Sequence, residues 1–156
     1  LLPTIGAVAS ERVGPGKNYW TALGVGATFE EIATPDGGFT RSFLDAGVVV
    51  TNGTDVPVED ISPVTSFSSS VVRQDLDGND FFPGQRMTRM EALQSYTINN
   101  ALAAFEEDLK GSLTVGKLAD IAVLERDIMS VPEAEIAGTL VDLTIVGGEV
   151  RFERQN

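Results

Sequence analysis

The sequence predicts an α/β fold, and three stretches carry that prediction. Residues 48–50 are consecutive valines, and an unbroken apolar run is typical of a strand that is covered on both faces. Residues 88–108 place apolar side chains every three or four positions, as an amphipathic helix does. Residues 140–146 and 149–153 alternate apolar and polar side chains around a Gly-Gly pair, which indicates a β-hairpin.

The composition limits the classes of function. The chain has 156 residues, 42% of them hydrophobic, which is enough for one globular domain with a core. Its 11 basic and 23 acidic residues give a net charge of −12, which disfavours nucleic acid and anionic membranes as partners. No apolar run approaches the roughly 20 residues that a membrane-spanning helix needs, and we expect a cytoplasmic protein. No basic region precedes the apolar start at Leu1, so we expect no signal peptide and a chain that is a piece of a longer protein.

The chain contains no cysteine and no histidine. Disulfides, zinc–thiolate sites and cysteine nucleophiles are therefore excluded within it. Ser-His-Asp triads and imidazole metal sites are excluded for the same reason. Carboxylates, lysines, tyrosines and hydroxyls remain as the groups that could do chemistry.

The first part of the chain predicts one strand and a long excursion. Residues 4–9 have the small apolar side chains of a short strand, and residues 10–38 are rich in glycine and proline. Two short helices are predicted in the excursion, near residues 19–23 and 28–33. Long excursions in compact domains often serve as functional loops.

A strand–helix–strand unit is predicted next. Thr40 is a suitable N-cap for a short helix, and Gly47 ends that helix. The valine strand follows at once, and this order of elements predicts parallel pairing. Parallel sheets bind ligands beyond the carboxyl ends of their strands. Asp55 lies at that end, so it is the first candidate for chemistry.

Two further helices are predicted before residue 112, where the predicted structure changes to antiparallel strands. Residues 64–73 form one helix with an apolar inner side. The helix at residues 88–108 begins with the capping-box pair Thr88 and Glu91, and Gly111 ends it. Its buried stripe is predicted to consist of Met90, Leu93, Thr97, Ala101 and Phe105.

Residues 112–156 read as antiparallel and half exposed, unlike the part before them. A strand is predicted at residues 118–124, and Pro132 opens a short helix that runs to Ile136. The hairpin follows and closes the chain. We therefore predict two domains, at residues 1–111 and 112–156.

Four motifs between about residues 41 and 152 carry a family resemblance. The motifs are Asn52-Gly53-Thr54-Asp55-Val56-Pro57-Val58-Glu59-Asp60, then Glu91-Ala92-Leu93 with Tyr96-Thr97, Asn99-Asn100 and Ala101, then Lys110-Gly111-Ser112-Leu113 with Gly116-Lys117-Leu118-Ala119-Asp120-Ile121, and last Thr144-Ile145-Val146-Gly147-Gly148. The first resembles the last barrel strand of metal-dependent amidohydrolases of the amidohydrolase 3, or YtcJ-like, subgroup. The others resemble that family's following helix, its return into a small β domain and its closing hairpin.

The resemblance implies a fold and a reaction. Residues 1–111 would be the last part of a distorted (β/α)8 barrel, and residues 112–156 would be strands of a composite β-sandwich. The implied reaction is hydrolysis of a carbon–nitrogen bond in a small-molecule amide, with a divalent metal, usually zinc. Asp55 would contact that metal or its water and act as the general base. Without the resemblance, Asp55 would be an ordinary turn residue before a proline.

Several expectations follow for individual residues. A complete barrel needs about 250 residues, and the histidines that the family carries upstream are absent, so we expect no tight metal and no turnover from this chain alone. Arg73 resembles a family arginine that could bind substrate, although we favour an ion pair with Asp75 or Asp77. Lys117 and Asp120 lie where a glycine turn enters a strand, and we expect structural roles for them.

The alternative function is a non-catalytic α/β association module. A fragment with one or two barrel strands leaves sheet edges unpaired, and such edges recruit other chains. We therefore expect a homo-oligomer, or pairing with a missing N-terminal part.

Overall fold

The chain forms a mixed α/β structure in a computed structural model, as the sequence predicts. The structure describes residues 8–13, 18–23, 40–54, 57, 61–74, 77–80 and 82–155. Within these ranges, no helix has the length and apolar character that crossing a membrane requires. The elements in chain order are β1 (Val8–Val13), β2 (Asn18–Leu23), α1 (Thr40–Asp45), β3 (Val49–Gly53), α2 (Pro63–Val72), a 3-10 turn (Pro83–Gln85), α3 (Arg89–Tyr96), α4 (Ile98–Ala103), β4 (Ile121–Leu124), α5 (Glu133–Ile136), β5 (Val141–Val146) and β6 (Glu149–Glu153).

The first three strands form an antiparallel sheet in the order β1, β2, β3. Two predictions are therefore wrong: β3 does not pair in parallel, and residues 19–23 belong to a strand rather than a helix. Only four residues separate β1 from β2, which is too few for the crossover that parallel strands need. Tyrosine, tryptophan and threonine in β2 also favour a strand. The helix predicted at residues 28–33 lies outside the described residues.

The predicted short helix and buried strand are confirmed. α1 begins at Thr40, and Gly47 reverses the chain after it with a φ of +78°. The Val48 N–H then donates to the Phe43 carbonyl oxygen at 2.9 Å. Val50 is 1% exposed, and the two residues after it are buried as well. β3 is thus covered on both faces, as the valine run indicates.

One hydrophobic core joins the two parts of the chain that the sequence assigns to separate domains. It consists of Phe43, Val48, Val50, Phe67, Val71, Met87, Ala92, Ile128 and Ile136. Arg89 of α3 adds polar contacts between the same two parts, donating to the carbonyl oxygens of Ile128 at 2.7 Å and Val131 at 2.6 Å. The core therefore crosses the predicted boundary after residue 111.

The capping box at the start of α3 is confirmed. The Thr88 hydroxyl accepts from the Glu91 N–H at 3.2 Å, and a Glu91 carboxylate oxygen accepts from the Thr88 N–H at 2.7 Å. Each side chain satisfies a backbone donor that has no partner within the first turn of the helix. Two residues that the sequence alone selects thus fix where this helix begins.

The single helix predicted over residues 88–108 is wrong, because the chain leaves the helix at Thr97 and divides it into α3 and α4. The Thr97 hydroxyl donates to the Leu93 carbonyl oxygen at 2.8 Å, a contact that bends helices. Thr97, Asn99 and Asn100 are also residues with low helix propensity. The predicted buried stripe forms only in part: Ala101 is buried and Leu93 packs against the core, but Met90 is 53% and Phe105 is 77% exposed.

The C-terminal sheet agrees with the prediction. β4, β5 and β6 form an antiparallel sheet in that order. Gly147 and Gly148 have φ values of +59° and +82°, which a two-residue hairpin turn between twisted strands requires. The short helix after Pro132 is confirmed as α5. The sheet is half exposed, and every residue of β6 is exposed.

An ion pair that the sequence does not reveal holds α1 to α3. Arg41 Nη1 donates to Glu91 Oε2 at 2.9 Å, and Arg41 Nη2 donates to Glu91 Oε1 at 2.7 Å. Two parallel charge-assisted bonds of this kind are among the stronger polar contacts in proteins. The hydrogen bonds from Arg41, helped by those from Thr88, outweigh burial and lower the pKa of Glu91 from 4.5 to about 2.

Acid is expected to remove the contribution of Glu91 to stability. Because its folded-state pKa lies below the unfolded value, the stabilisation is present above pH 4.5 and is lost as the pH falls towards 2. We expect Glu91→Gln to lower the free energy of unfolding by about 1–2 kcal/mol at pH 7, with allowance for its partly exposed side chain. The loss should shrink below pH 3.

Urea unfolding at pH 7 and pH 2.5 measures this effect. Glu153→Gln, a change on the exposed strand β6, is the matched control and should alter stability little at either pH. An equal loss at both pH values for Glu91→Gln would contradict the assigned role of its charge.

Candidate functional site

The carboxyl end of β3 is the place where the sequence predicts chemistry. β3 ends at Gly53, and the half-buried Thr54 follows it. Asp55 is the next residue and lies outside the described residues, so its roles as general base and metal ligand stay predictions. The described residues around it form the framework that holds the end of the strand.

Two consecutive asparagines at the start of α4 bind one edge of β3. Asn99 Nδ2 donates to the Val50 carbonyl oxygen at 2.9 Å, and Asn100 Nδ2 donates to the Asn52 carbonyl oxygen at 3.0 Å. Carbonyl groups two residues apart on a strand point the same way, so both bonds act on the same edge. β3 is the last strand of its sheet in the described part of the chain. Helix side chains therefore hold the strand where a neighbouring strand could otherwise pair.

Asn52 ties β3 to α2. Asn52 Nδ2 donates to Ser70 Oγ at 2.8 Å, and Ser70 Oγ donates to the Ser66 carbonyl oxygen at 3.0 Å. Asn52 is buried, and its Oδ1 has no hydrogen-bond partner among the residues that the structure describes. A buried acceptor without a partner costs about 1–3 kcal/mol. The end of β3 is thus held by hydrogen bonds of Asn52, and one buried oxygen of that side chain has no hydrogen-bond donor among the described residues.

Arg73 lies buried beneath α1. It caps α2 in a left-handed conformation with a φ of +50°, and its N–H donates to the Ser69 carbonyl oxygen at 3.0 Å. Its side chain is 0% exposed, and Nη1 donates to Thr40 Oγ1 at 3.4 Å. Asp75 lies outside the described residues, and Asp77 is exposed. The ion pair and the substrate contact both stay predictions for Arg73.

Lys117 and Asp120 make contacts that suit structural roles. Lys117 Nζ donates to the carbonyl oxygens of Glu107 and Lys110, the second at 3.5 Å. Asp120 Oδ1 accepts from the Gly147 N–H at 2.7 Å. Lys117 therefore satisfies carbonyl groups of the turn before β4, and Asp120 holds the hairpin turn against the start of that strand.

A groove of about 820 Å³ lies between α3, α4 and β4. No residue of β3 lines it, although Asn100, which donates to the Asn52 carbonyl oxygen, does. Tyr96 lies in its wall, and burial raises the pKa of the Tyr96 hydroxyl to about 12. This phenol stays protonated at neutral pH, so it does not serve as a base there. The apolar part of the lining includes Leu93, Ile98, Ala101, Leu113, Leu118 and Ile121.

A complete metal site needs more ligands than the described residues offer. Zinc sites use three or four protein ligands from cysteine, histidine and carboxylate side chains. In the described ranges, no three such side chains lie together, and the sequence contains neither cysteine nor histidine. Asp55 has an oxygen donor of the right chemistry.

The contacts of Asn99 and Asn100 with β3 were not predicted from the sequence. Asparagine is a poor helix former, so two in succession at the start of α4 are a signal that the side chains bind elsewhere. The pairing of Arg41 with Glu91 was not predicted either, because 50 residues separate the two in the chain. A local pattern does not encode contacts over such a separation.

Comparison with known proteins gives one consistent family. Residues 21–152 match the family model described as the Amidohydrolase family. The chain is 38% identical over 114 residues to N-substituted formamide deformylase of Arthrobacter pascens, covering 73% of this chain and 21% of that protein. It is 23% identical over 117 residues to the putative amidohydrolase YtcJ of Bacillus subtilis, covering 73% and 22%. It is 28% identical over 119 residues to imidazolonepropionase of Streptococcus pyogenes, covering 73% and 25%. The chain spans about a fifth to a quarter of the length of these relatives.

Proposed function

Since the chain belongs to the amidohydrolase family, we propose that it is the C-terminal part of a metal-dependent hydrolase that acts on a carbon–nitrogen bond of a small-molecule amide. The observation that carries the proposal is the family match, which runs from β2 through β3 to β6. The deformylase relative supports the bond type, because its name specifies an N-substituted formamide.

We assign Asp55 as the general base and as one ligand of the metal. A carboxylate there could accept a proton from water and pass it to the departing nitrogen. When bound, a divalent metal such as zinc would lower the pKa of water towards neutrality. The family match supports the assignment, because it includes Asp55 within residues 21–152.

We assign residues 1–111 to the barrel part and residues 112–156 to the part that supplies strands of the composite β-sandwich, with Ile128 and Ile136 of the second part packed in the core of the first. The antiparallel, half-exposed sheet of β4, β5 and β6 supports the second assignment. For Arg73 a structural role comes first, because its guanidinium is enclosed and contacts Thr40. A substrate contact is the second role, and it requires an opening towards the barrel interior.

The test compares the 156-residue chain with the longest gene product that contains it. We expect the longer protein to bind zinc and hydrolyse an N-alkylformamide probe. Chelation should lower its rate at least roughly 100-fold, and added zinc should restore it. The 156-residue chain should neither hold stoichiometric zinc nor turn over. Tight zinc together with hydrolysis by the short chain, or a rate indifferent to chelation in the longer one, would contradict the proposal.

A non-catalytic association module is the second candidate. Exposed apolar side chains on the C-terminal sheet favour it, because such surfaces mark interaction sites. They include Val123, Val146, Val150 and Phe152. In this case the chain forms a homo-oligomer or pairs with an N-terminal part. Light scattering that finds only monomer at high concentration, in the preparation used for the zinc assay, would count against it.

A further inference from the structure

We propose that Asn52 is a site of spontaneous deamidation, which the folded chain suppresses and which becomes reactive when the end of β3 leaves the sheet. Asn52 is followed by Gly53, and these two residues form the only asparagine–glycine pair in the sequence. Glycine favours the reaction, because it has no Cβ to hinder its backbone nitrogen and adopts conformations that other residues rarely do. The reaction needs no metal, and it does not depend on the proposed amide hydrolysis.

Deamidation is a ring closure within the chain, followed by the addition of water. The Gly53 backbone nitrogen attacks Asn52 Cγ and loses its proton, the Cγ–Nδ2 bond breaks, and the side-chain nitrogen leaves as ammonia. Water then opens the resulting succinimide at either of its two carbonyl groups. One product is aspartate at position 52, and the other is isoaspartate, in which the backbone runs through Cγ. No oxidant or reductant takes part.

The backbone of β3 opposes the ring closure. Asn52 and Gly53 are the last two residues of the strand, and they lie opposite Trp20 and Tyr19 of β2. The succinimide ring forces the ψ angle of residue 52 out of the extended range that a strand requires. The Asn52 carbonyl group belongs to the same peptide group as the attacking nitrogen, and it accepts from Asn100 Nδ2 at 3.0 Å. Asn52 therefore has to leave the sheet before it can react.

The side-chain amide of Asn52 is held by α2 without being activated. Nδ2 donates to Ser70 Oγ at 2.8 Å, and Ser70 Oγ donates its own proton to the Ser66 carbonyl oxygen at 3.0 Å. The Ser70 proton is thus directed away from the nitrogen that would leave. Asn52 Oδ1 has no hydrogen-bond donor among the described residues, so none of them stabilises the negative charge that develops on this oxygen during the attack.

Deamidation would make an opening of the strand end irreversible. Asn52 is 5% exposed, and either product replaces its neutral amide with a carboxylate, which is strongly unfavourable in a buried position without a partner. The donor to Ser70 Oγ is lost at the same time. Isoaspartate also lengthens the backbone by one atom, so β3 cannot keep its register with β2 at that point. A strand end that has reacted therefore cannot return to its original packing.

Peptide mapping by mass spectrometry measures the reaction in the 156-residue chain. The tryptic peptide of residues 42–73 contains no asparagine or glutamine other than Asn52, so deamidation in this peptide has one source. We expect the reaction to be at least about tenfold slower in buffer than in unfolding concentrations of urea, because the strand end is then open less than about a tenth of the time. Equal rates in buffer and in urea would overturn the protection by the fold.

Ser70→Ala tests the contact with the side-chain amide, and Ser69→Ala is the matched control. Ser69 Oγ donates to the carbonyl oxygen four residues before it, as Ser70 Oγ does, but its hydrogen bond is exposed. In buffer, Ser70→Ala should speed deamidation about fivefold, the factor of one lost hydrogen bond. Ser69→Ala should leave the rate within about twofold. In urea both variants should react as the unmodified chain does. Equal acceleration by the two variants in buffer would overturn the role of the Asn52–Ser70 contact.

Gly53→Ala tests the chemistry apart from the fold. No atom of the described residues lies within 4 Å of the place that the added methyl would occupy, so the change fits the folded chain. In urea it should slow deamidation at least about two- to fivefold, because alanine restricts the backbone freedom that ring closure uses. An unchanged rate would overturn attack by the Gly53 nitrogen, and an Asn52 that stays intact in urea would overturn the site. Both results hold even if Ser70→Ala fails to fold.

Discussion

Replacing Asp55 with asparagine should lower kcat for amide hydrolysis by about 1,000-fold in the longest gene product that contains this chain. Asparagine has nearly the same size and keeps an oxygen, but it carries no negative charge and accepts no proton at neutral pH. General base catalysis contributes typically about 100- to 10,000-fold, so its loss should fall in that range. Steady-state kinetics with an N-alkylformamide, together with zinc content, measure the change.

The matched control for that change is Asp108→Asn. Asp108 is exposed after α4, and the same alteration of charge there should leave kcat within about twofold. A kcat for Asp55→Asn within about tenfold of the unmodified protein would remove Asp55 from the reaction. A fall in kcat that accompanies lost zinc and is reversed by added zinc would instead restrict its role to binding the metal.

Replacing Gly111 with alanine should be among the most destabilising single changes in the described part of the chain. Gly111 has a φ of +90°, and a Cβ there would lie 2.8 Å from the Ala101 Cβ and 3.0 Å from the Ile98 Cα. The positive φ costs about 1–2 kcal/mol for an alanine, and crowding against a packed helix costs about 1–3 kcal/mol more. Urea unfolding should show a total loss of about 2–5 kcal/mol.

Gly116 provides an unusually close control for this prediction. It has a φ of +98°, and no atom of the described residues lies within 4 Å of the place that an alanine methyl would occupy. Gly116→Ala should therefore cost the backbone strain alone. The difference between the two variants isolates the contact with α4. Gly111→Ala should cost less in an Ala101→Gly background than in the unmodified chain, and a double-mutant cycle measures that difference. Equal losses at the two glycines, with no such difference, would show that the contact is unimportant.

The elements that local patterns specify could be predicted from the sequence. The capping box of Thr88 and Glu91, the stop at Gly47 and the hairpin at Gly147-Gly148 each depend on residues within a few positions of one another. The partner of β3 could not be predicted this way. The choice between a parallel and an antiparallel neighbour depends on contacts between distant segments, and the order of the elements leaves it open.

The prediction of a single helix over residues 88–108 was wrong for a related reason. The apolar spacing over residues 88–108 describes an uninterrupted helix, but hydrogen bonding by side chains competes with it at Thr97 and at the asparagines that follow. Where side chains form hydrogen bonds outside their own helix, as Asn99 does with β3, the spacing of apolar residues no longer predicts which of them are buried. Phe105 lies beyond the end of α4 and is exposed, and Met90 is exposed in the first turn of α3, before the break.

The candidate site could be predicted only in part. The place of Asp55 after the valine strand makes it a candidate, and the family resemblance gives that place a chemical meaning. The contacts of Asn52, Asn99 and Asn100 could not be predicted from spacing, because they join β3 to helices that begin about 10 or more residues away.

The contacts of Arg89 with Ile128 and Val131 have a consequence for how this region can evolve. Together with Ile128 and Ile136 in the shared core, they bind the last third of the chain to the helices before it. Such a segment cannot be exchanged alone between proteins, because its removal would expose the apolar core of the remaining residues to solvent. Because β4 also pairs with β5, recombination that preserves folding should carry residues 40–153 as a single inherited block.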